Sequence, residues 1–402
     1  NNCNSDVRRA AFTPEEVCEL TMEFYRRNYI EGLFLSSGIM VSPNYTMELL
    51  YQTLYKLRTA HHFNGYIHVK AIPGADPLLI EKTGFLADRM SINLELPTAQ
   101  SLSKLAPNKS FKTILEPMEK ITGTIAANRL ALGKDARMER SSINRYLTGS
   151  IFNQNGTDNG QAALSGTQRT ALESGDKLSL PAVSKDMCVK RPFAPAGQST
   201  QMIIGATPET DLTLIRTTQH LYKNYDLKRV FYSAYIPLNE DSALPQLDAD
   251  VPLLREHRLY QADWLLRFYG FQADELLSES RPNFNEQLDP KCDWAIRHLG
   301  QFPVEVQNAS YDMLLRIPGI GPKSARRIVE TRRYAKLDFD ILKKIGVVLK
   351  RAHYFITCNG RMMYRIPIEE SYITSCLTDD NHKENWVITH QNEKYHQLSL
   401  FE

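Results

Sequence analysis

Residues 314–328 read LLRIPGIGPKSARRI, and they define their local fold more sharply than any other part of the chain. A proline ends a short apolar helix, and Gly319 and Gly321 permit a tight turn with close backbone approach. Pro322 suits the first turn of a second helix, because its missing N–H would have no partner there. The free N–H groups of the turn and the positive end of this helix point outward together, where an anion can bind. The sequence predicts a helical hairpin with an anion site, to which Lys323 adds a full charge.

The charge of the surrounding region favours phosphate as this anion. Residues 308–351 contain eleven Lys and Arg against four Asp and Glu, a net charge of +7 in a chain of net charge +2. The rest of the chain is therefore mildly acidic, at −5. A local basic surface on such a body is typical of proteins that bind a nucleic-acid backbone.

The order Ile-Pro-Gly-Ile-Gly-Pro-Lys-Ser-Ala resembles the helix-hairpin-helix motif, whose glycine turn grips a DNA phosphate without reading sequence. An ordinary helical hairpin with a glycine loop is the alternative. Residues 338–352 look like a degenerate second hairpin packed on the first. The resemblance implies DNA contacts in the first hairpin at Gly319, Gly321, Lys323, Ser324, Arg326 and Arg327.

The chain is long enough for two domains, and its composition is typical of a globular protein. The chain has 402 residues, of which 42% are hydrophobic and 23% charged. No apolar run approaches the length of a membrane span, and no signal peptide is recognised. The six cysteines are scattered without metal-type spacing, so we expect a reducing compartment and a cytoplasmic protein that does not contact a membrane.

Strand-like and helix-like segments alternate between residues 14 and 269. This alternation implies βαβ units and a parallel sheet or barrel. Residues 135–192, rich in Ser, Thr, Gly, Asn and Gln, interrupt the pattern and read as a mobile insertion, with a small structured lid as the alternative. Five strands are visible, and a missing first strand would make six. The strand patterns occupy residues 32–40, 65–72, 90–96, 201–206 and 229–237.

Four stretches resemble the radical S-adenosylmethionine (SAM) family, in particular a group described as DNA modification or repair proteins. They are FTPEE at 12–16, YRRNYIEGLFLSSG at 25–38, FAPAGQSTQMIIGA at 193–206 and REHRLYQADW at 255–264. The resemblance implies a partial (β/α)6 barrel that binds SAM and a 4Fe-4S cluster at the carboxyl ends of its strands. The implied α/β barrel covers residues 1–280, including the insertion, followed by a helix-hairpin-helix domain at 281–356 and a C-terminal extension at 357–402.

The resemblance also implies a set of SAM-binding residues. Ser36, Ser37 and Gly38 lie where the second strand of the family's barrel would end, and this turn would hold the methionyl amino group of SAM. A tight turn that binds no ligand is the alternative. Asn93 and Glu95 share one face of a predicted strand and would bind the ribose or amino group, with a salt bridge to Arg129 as the alternative. Gly205 would admit the adenine ring, and Thr207 would cap the next helix. The full set is Ser36, Ser37, Gly38, Asn93, Glu95, Gly205, Thr207, Glu209 and Tyr235.

The chain departs from the family in lacking the Cys-x-x-x-Cys-x-x-Cys loop. Three thiolates of that loop hold a four-iron cluster and leave one iron open for SAM. We expect the ligand cysteines upstream of residue 1, so that this chain does not assemble the cluster by itself. No metal ligand within the chain is predicted, and no catalytic residue is identified.

The C-terminal tail resembles the pentapeptide that docks bacterial replication and repair proteins on the sliding clamp. The clamp would contact Gln397, Leu398, Leu400 and Phe401. A hydrophobic tail that folds back onto the barrel is the alternative.

Three functions fit the sequence. The first is a radical SAM enzyme that modifies or repairs DNA. The second is a DNA glycosylase or AP lyase in which Lys323 forms a Schiff base, with Asp338 or Asp340 helping to activate it. The third is an adaptor for DNA or the sliding clamp that has no catalytic activity.

Overall fold

The computed structural model describes residues 11–107, 109–132, 191–237 and 242–378. These residues belong to two compact units. The first unit contains 11–92, 116–132 and 191–198, and the second contains 93–107, 109–115, 199–237 and 242–378. The predicted insertion lies outside the described residues except for Arg191 and Pro192.

Helices in the first unit begin where the sequence supplies a cap followed by proline. Thr13, Ser42 and Asp76 each accept a hydrogen bond from the first turn of the helix that follows. Elements up to residue 131 are α1 (Pro14–Arg26), β1 (Gly32–Leu35), α2 (Pro43–Thr59), β2 (Tyr66–Lys70), α3 (Pro77–Gly84), β3 (Arg89–Ser91), α4 (Ala99–Leu105) and α5 (Phe111–Ala131).

The second unit contains the remaining strands and most of the short helices. The α/β elements are β4 (Gln198–Ile204), α6 (Asp211–Tyr225), β5 (Arg229–Ala234), α7 (Leu253–Phe268), α8 (Ala273–Leu276) and α9 (Pro290–Arg297). After them come β6 (Val304–Glu305), α10 (Tyr311–Arg316), α11 (Pro322–Thr331), α12 (Phe339–Lys344), α13 (Leu349–Ala352), β7 (Ile356–Thr357) and α14 (Glu370–Thr378). The strands β6 and β7 pair in parallel and close the hairpin region at its two ends.

The main sheet has the strand order β1-β2-β3-β4-β5. The pairs β1–β2, β2–β3 and β4–β5 are parallel. Sequential order with parallel pairing is the connectivity of a (β/α) barrel that has not closed. The α/β prediction is therefore confirmed, although the described residues contain five strands of this sheet and not six.

The third strand is shorter than predicted. A strand was expected over residues 90–96, but β3 ends at Ser91 and only an isolated bridge joins Glu95 to Met202. Glu95 has φ = +68°, which turns the backbone out of the extended conformation. Asn93 and Glu95 therefore do not lie on one face of a regular strand as predicted, because β3 has already ended at Ser91.

Among the described residues, all four cysteines are free thiols, and three of them are buried. No helix within the described ranges is both long and apolar enough to traverse a lipid bilayer.

Candidate nucleic-acid interface

The first hairpin consists of α10, the turn at residues 317–321 and α11. Ser310 caps α10, because its side chain accepts a hydrogen bond from the backbone N–H of Met313. Gly319 has φ = +82°, a left-handed conformation that residues with a Cβ rarely adopt. The second helix then starts at Pro322, as the sequence predicted.

The second hairpin consists of α12, the turn at residues 345–348 and α13. Asp338 caps α12 by accepting a hydrogen bond from the backbone N–H of Ile341 at 2.7 Å. Gly346 has φ = +94° and takes the place that Gly319 has in the first hairpin. The prediction of a degenerate second hairpin is therefore confirmed.

Each glycine turn packs against the other hairpin. The backbone N–H of Val348 donates to the carbonyl oxygen of Gly319 at 2.9 Å. In return, the hydroxyl of Ser324 donates to the carbonyl oxygen of Gly346 at 2.7 Å. A Cβ on Gly319 would lie 2.5 Å from the carbonyl oxygen of Val348, so no larger residue fits without a shift of the backbone.

The start of α11 offers backbone N–H groups to an anion. Gly321 is the N-cap and supplies no side-chain hydrogen bond, and the first N–H groups of a helix have no partner within it. Lys323 and Arg326 are exposed next to these groups. Arg327 is also exposed, and one of its N–H groups donates to the carbonyl of Ile345 at 3.0 Å. The positive helix end and these cations together favour a negatively charged ligand.

Ser324 differs from the other predicted DNA contacts. Its side chain is buried, with 7% of the residue exposed, and its hydroxyl is used in the bond to Gly346. The side chain therefore joins the two hairpins, while its backbone N–H belongs to the first turn of α11.

Two of the eleven basic residues counted in this region, Arg316 and Arg332, are half-buried. Arg316 donates to both carboxylate oxygens of Glu275 at 2.9 Å, and its guanidinium lies 4.2 Å from the ring centre of Phe271. Arg332 donates to two backbone carbonyls. Nine basic residues remain exposed: Lys323, Arg326, Arg327, Arg333, Lys336, Lys343, Lys344, Lys350 and Arg351.

Lys291 lies behind the glycine turn, a position that the sequence did not suggest. It is 8% exposed, its Nζ donates to the carbonyl oxygen of Ile320 at 2.6 Å, and the Nζ lies 4.6 Å from the ring centre of Tyr269. Burial lowers the pKa of Lys291 to about 7, and the charges of Arg316 and Arg351 contribute to the lowering.

Replacing Lys291 by methionine should change how stability depends on pH. The pKa of Lys291 is about 7 in the folded protein, against an ordinary value of 10.5, so the unfolded chain binds the proton over this interval when the folded protein does not. The free energy of unfolding should therefore rise with pH in this interval, by at most about 1.4 kcal/mol per pH unit. In Lys291→Met, the free energy of unfolding should no longer rise with pH in this way. Urea denaturation of both proteins from about pH 6 to about pH 9 would measure the difference. Parallel pH profiles of the two proteins would contradict the assignment.

The predicted SAM-binding residues are divided between the two units. Ser36, Ser37 and Gly38 follow directly after β1, and the hydroxyl of Ser37 donates to the carbonyl of Gly38 at 2.8 Å. The others lie in the second unit, near the carboxyl ends of β4 and β5: Asn93, Glu95, Gly205, Thr207, Glu209 and Tyr235. None of these predicted roles is tested by the contacts, and they stay predictions.

Asn93 and Glu95 do come together, but their setting differs from the predicted one. The amide of Asn93, a residue with 5% exposure, donates to Glu95 at 3.5 Å and to Gln201 at 3.3 Å. Glu95 forms an ion pair with Lys109 at 2.9 Å, whereas the alternative prediction named Arg129 as its partner. The left-handed backbone of Glu95 is unusual for this residue type, and such strain concentrates at functional sites.

Glu209 is held by hydroxyl groups. Burial alone would raise its pKa, but hydrogen bonds from Ser101, Thr207 and Thr98 outweigh burial and keep the pKa of Glu209 below its usual value. Thr207 was expected to cap the next helix. That expectation is wrong, because α6 begins later and Thr210 is its cap.

Gly205 and Glu256 make contacts that stabilise the protein itself. Gly205 has φ = +86°, and a Cβ there would lie 2.7 Å from the ring of Pro252. Glu256 accepts a hydrogen bond from the backbone N–H of Ala234 at 2.6 Å, and burial raises its pKa. These contacts fix the carboxyl edge of β4 and β5 whether or not a ligand binds there.

The described cysteines do not fit an iron-sulfur cluster. Cys18 is buried in α1, its thiol donates to the carbonyl of Thr53 at 3.5 Å, and burial raises its pKa to about 11. Among the described residues, no group of three or more His, Cys, Asp or Glu side chains could hold a metal ion. The predicted clamp-binding residues Gln397, Leu398, Leu400 and Phe401 lie outside the described part of the chain.

The fold and this surface define a mixed α/β protein with paired helical hairpins. Residues 304–331 match the helix-hairpin-helix motif family, which indicates nucleic-acid binding. No curated protein and no solved structure matches the chain. The match covers the first hairpin and the strand before it, and it does not extend to the α/β part.

Proposed function

We propose that the protein binds DNA through its hairpins, gripping the sugar-phosphate backbone without reading base sequence. The observation that supports this most is the start of α11, where an N-cap without a side-chain hydrogen bond lies beside the exposed Lys323 and Arg326. The second hairpin repeats the glycine turn and adds the exposed Lys343, Lys344 and Lys350. Two such turns could hold phosphates at two positions along one duplex.

Binding of unrelated duplexes tests this proposal. Fluorescence anisotropy with two duplexes of scrambled sequence should give similar dissociation constants, and both should weaken steeply between about 50 mM and about 200 mM salt. The salt dependence follows from the release of counterions when exposed cations neutralise phosphates. No binding at low salt, or a strong preference for one sequence, would contradict the proposal.

We further propose that the α/β part is a SAM-dependent enzyme that modifies or repairs DNA, of the radical SAM type. The resemblance of its sequence supports this, and so do the sequential parallel strands and the strained backbone of Glu95 at the carboxyl edge. The described cysteines do not fit an iron-sulfur cluster, so the role assigned to the described residues is the binding of SAM alone. Asn93, Glu95 and Glu209 would hold SAM when it is bound.

Equilibrium dialysis with SAM tests the cofactor proposal. The protein should bind SAM, and Glu95→Ala should weaken binding by about tenfold or more, since one charged hydrogen bond contributes about 1.5–3 kcal/mol. Glu23→Ala is the matched control, because Glu23 is an exposed carboxylate of α1 in an ordinary ion pair with Arg27. Equal binding by both variants would show that Glu95 does not contact SAM.

The lyase and adaptor alternatives have distinct signatures. Borohydride trapping on abasic DNA that disappears in Lys323→Ala would support the lyase. Lys323 is exposed at the start of α11 and does not line the cavity that the two glycine turns form with α7, so the geometry does not favour that role. An adaptor would bind DNA or the sliding clamp without SAM binding or trapping.

A further inference from the structure

A cavity of about 690 Å³ lies beside the hairpin turns in the second unit. One wall consists of the two glycine turns, including Gly321 and Gly346, and the other comes from α7 and the residues that follow it. Such a volume is in the range of small-molecule sites and accommodates one nucleotide. The cavity therefore adjoins the backbone groups to which the proposed function assigns a phosphate.

The wall that comes from α7 and the residues after it is aromatic. Tyr260, Trp264 and Tyr269 belong to it, and the hydroxyl of Tyr269 lies 3.3 Å from where a Cβ of Gly321 would be. Trp264 is 52% exposed, so a large part of its indole is accessible to a ligand. Its ring contacts that of Phe268, with ring centres 4.3 Å apart and planes tilted by 48°.

Two cations and one carboxylate line the cavity. The cations are Lys291, whose Nζ donates to the carbonyl of Ile320 in the turn, and Arg351. The one carboxylate in the lining is Asp289, which pairs with Arg351 at 2.8 Å and caps α9. The combination of an exposed indole, glycine turns and cations is typical of sites that stack a base while holding its backbone.

We propose that this cavity receives an unpaired base of the DNA whose backbone the hairpins hold, and that the base stacks on Trp264. The inference rests on the proposed DNA binding and deepens it by naming the form of DNA that is preferred. A paired base cannot enter, because its neighbours in the duplex occupy both of its faces. An unpaired base needs little energy to leave the helix.

Three duplexes of the same sequence separate the two proposals. One is fully paired, one carries an unpaired 2-aminopurine as a single-base bulge, and one carries an abasic residue in that bulge. The wild-type protein should bind the 2-aminopurine bulge about tenfold more tightly than the abasic bulge, and stacking should quench the 2-aminopurine fluorescence. Trp264→Ala should lose both effects and retain its affinity for the fully paired duplex. Trp264→Phe should keep most of the preference, because an aromatic face remains.

The binding results distinguish a wrong assignment of the cavity from a failure of the proposed DNA binding. Equal affinity of the wild-type protein for the two bulges, or a preference that persists in Trp264→Ala, would overturn the assignment of the cavity and leave DNA binding by the hairpins intact. Failure of the wild-type protein to bind any of the three duplexes would overturn the proposed function itself, and the base site with it. Comparison of Trp264→Ala and Trp264→Phe by circular dichroism shows whether both are folded.

Discussion

Alanine at position 319 should destabilise the hairpin region by about 4 kcal/mol, the sum of backbone strain and steric overlap. Gly319 has φ = +82°, and a Cβ there would lie 2.5 Å from the carbonyl oxygen of Val348 and 3.1 Å from the backbone nitrogen of Ala352. Both are backbone atoms, which cannot move aside as a flexible side chain could. The two hairpins would have to separate, and DNA binding should fall with them.

Two other glycines serve as controls that separate backbone strain from steric overlap. Gly360 also has positive φ, at +73°, but no atom lies within 4 Å of its Cβ position, so Gly360→Ala should cost only the strain, about 1 kcal/mol. Gly300 has open space and no positive φ, so alanine there should cost almost nothing. Native-state hydrogen exchange of the amides in 311–331 would report the local free energies. Equal losses in Gly319→Ala and Gly360→Ala would show that the contact with the second hairpin is unimportant.

The hairpins could be predicted because their signals are local. A cap, a proline and a glycine with positive φ act within a few residues of one another, so the order of residues alone defines the turn. The same holds for the first three helices, where a cap and a proline stand next to each other. The alternation of strands and helices likewise defined the parallel sheet.

The partners of charged residues could not be predicted in the same way. Lys291 reaches Ile320 and Arg316 reaches Glu275 across 29 and 41 positions of sequence. The count of basic residues therefore included Arg316 in the phosphate-binding charge, although its guanidinium is used inside the protein. Sequence showed the sign of the local charge, whereas the fold determines which cations face solvent.

The carboxyl edge of the sheet was predicted only in outline. The polar pair at positions 93 and 95 stood out in an apolar stretch, and the two side chains do lie in contact. The strand ends at Ser91, however, and Glu95 has a left-handed backbone, so alternation along a regular strand does not account for this contact. No local rule predicts a positive φ at glutamate, because tertiary contacts impose it.

Removing three cations from the first hairpin should weaken DNA binding on the order of 100-fold, at about 1 kcal/mol for each lost phosphate contact. The variant is Lys323→Ala, Arg326→Ala and Arg327→Ala combined, and anisotropy with two unrelated duplexes at several salt concentrations measures the effect. Affinity should fall equally for both duplexes, because phosphates carry no sequence information. The slope of log affinity against log salt should become shallower by about 2 to 3, since each contact releases about 0.9 counterions.

A matched variant separates a local effect from one of net charge. Arg26→Ala, Arg27→Ala and Lys120→Ala combined also remove three exposed cations, all from the first unit. If long-range attraction dominated, both triple variants would lose affinity alike, and the losses would vanish together at high salt. If the hairpin contacts phosphate directly, only the first variant changes the salt slope, because counterions are released only where a cation meets the backbone. A loss confined to one of the two duplexes would instead mean that these side chains read bases, which the glycine turn and the exposed helix start do not lead us to expect.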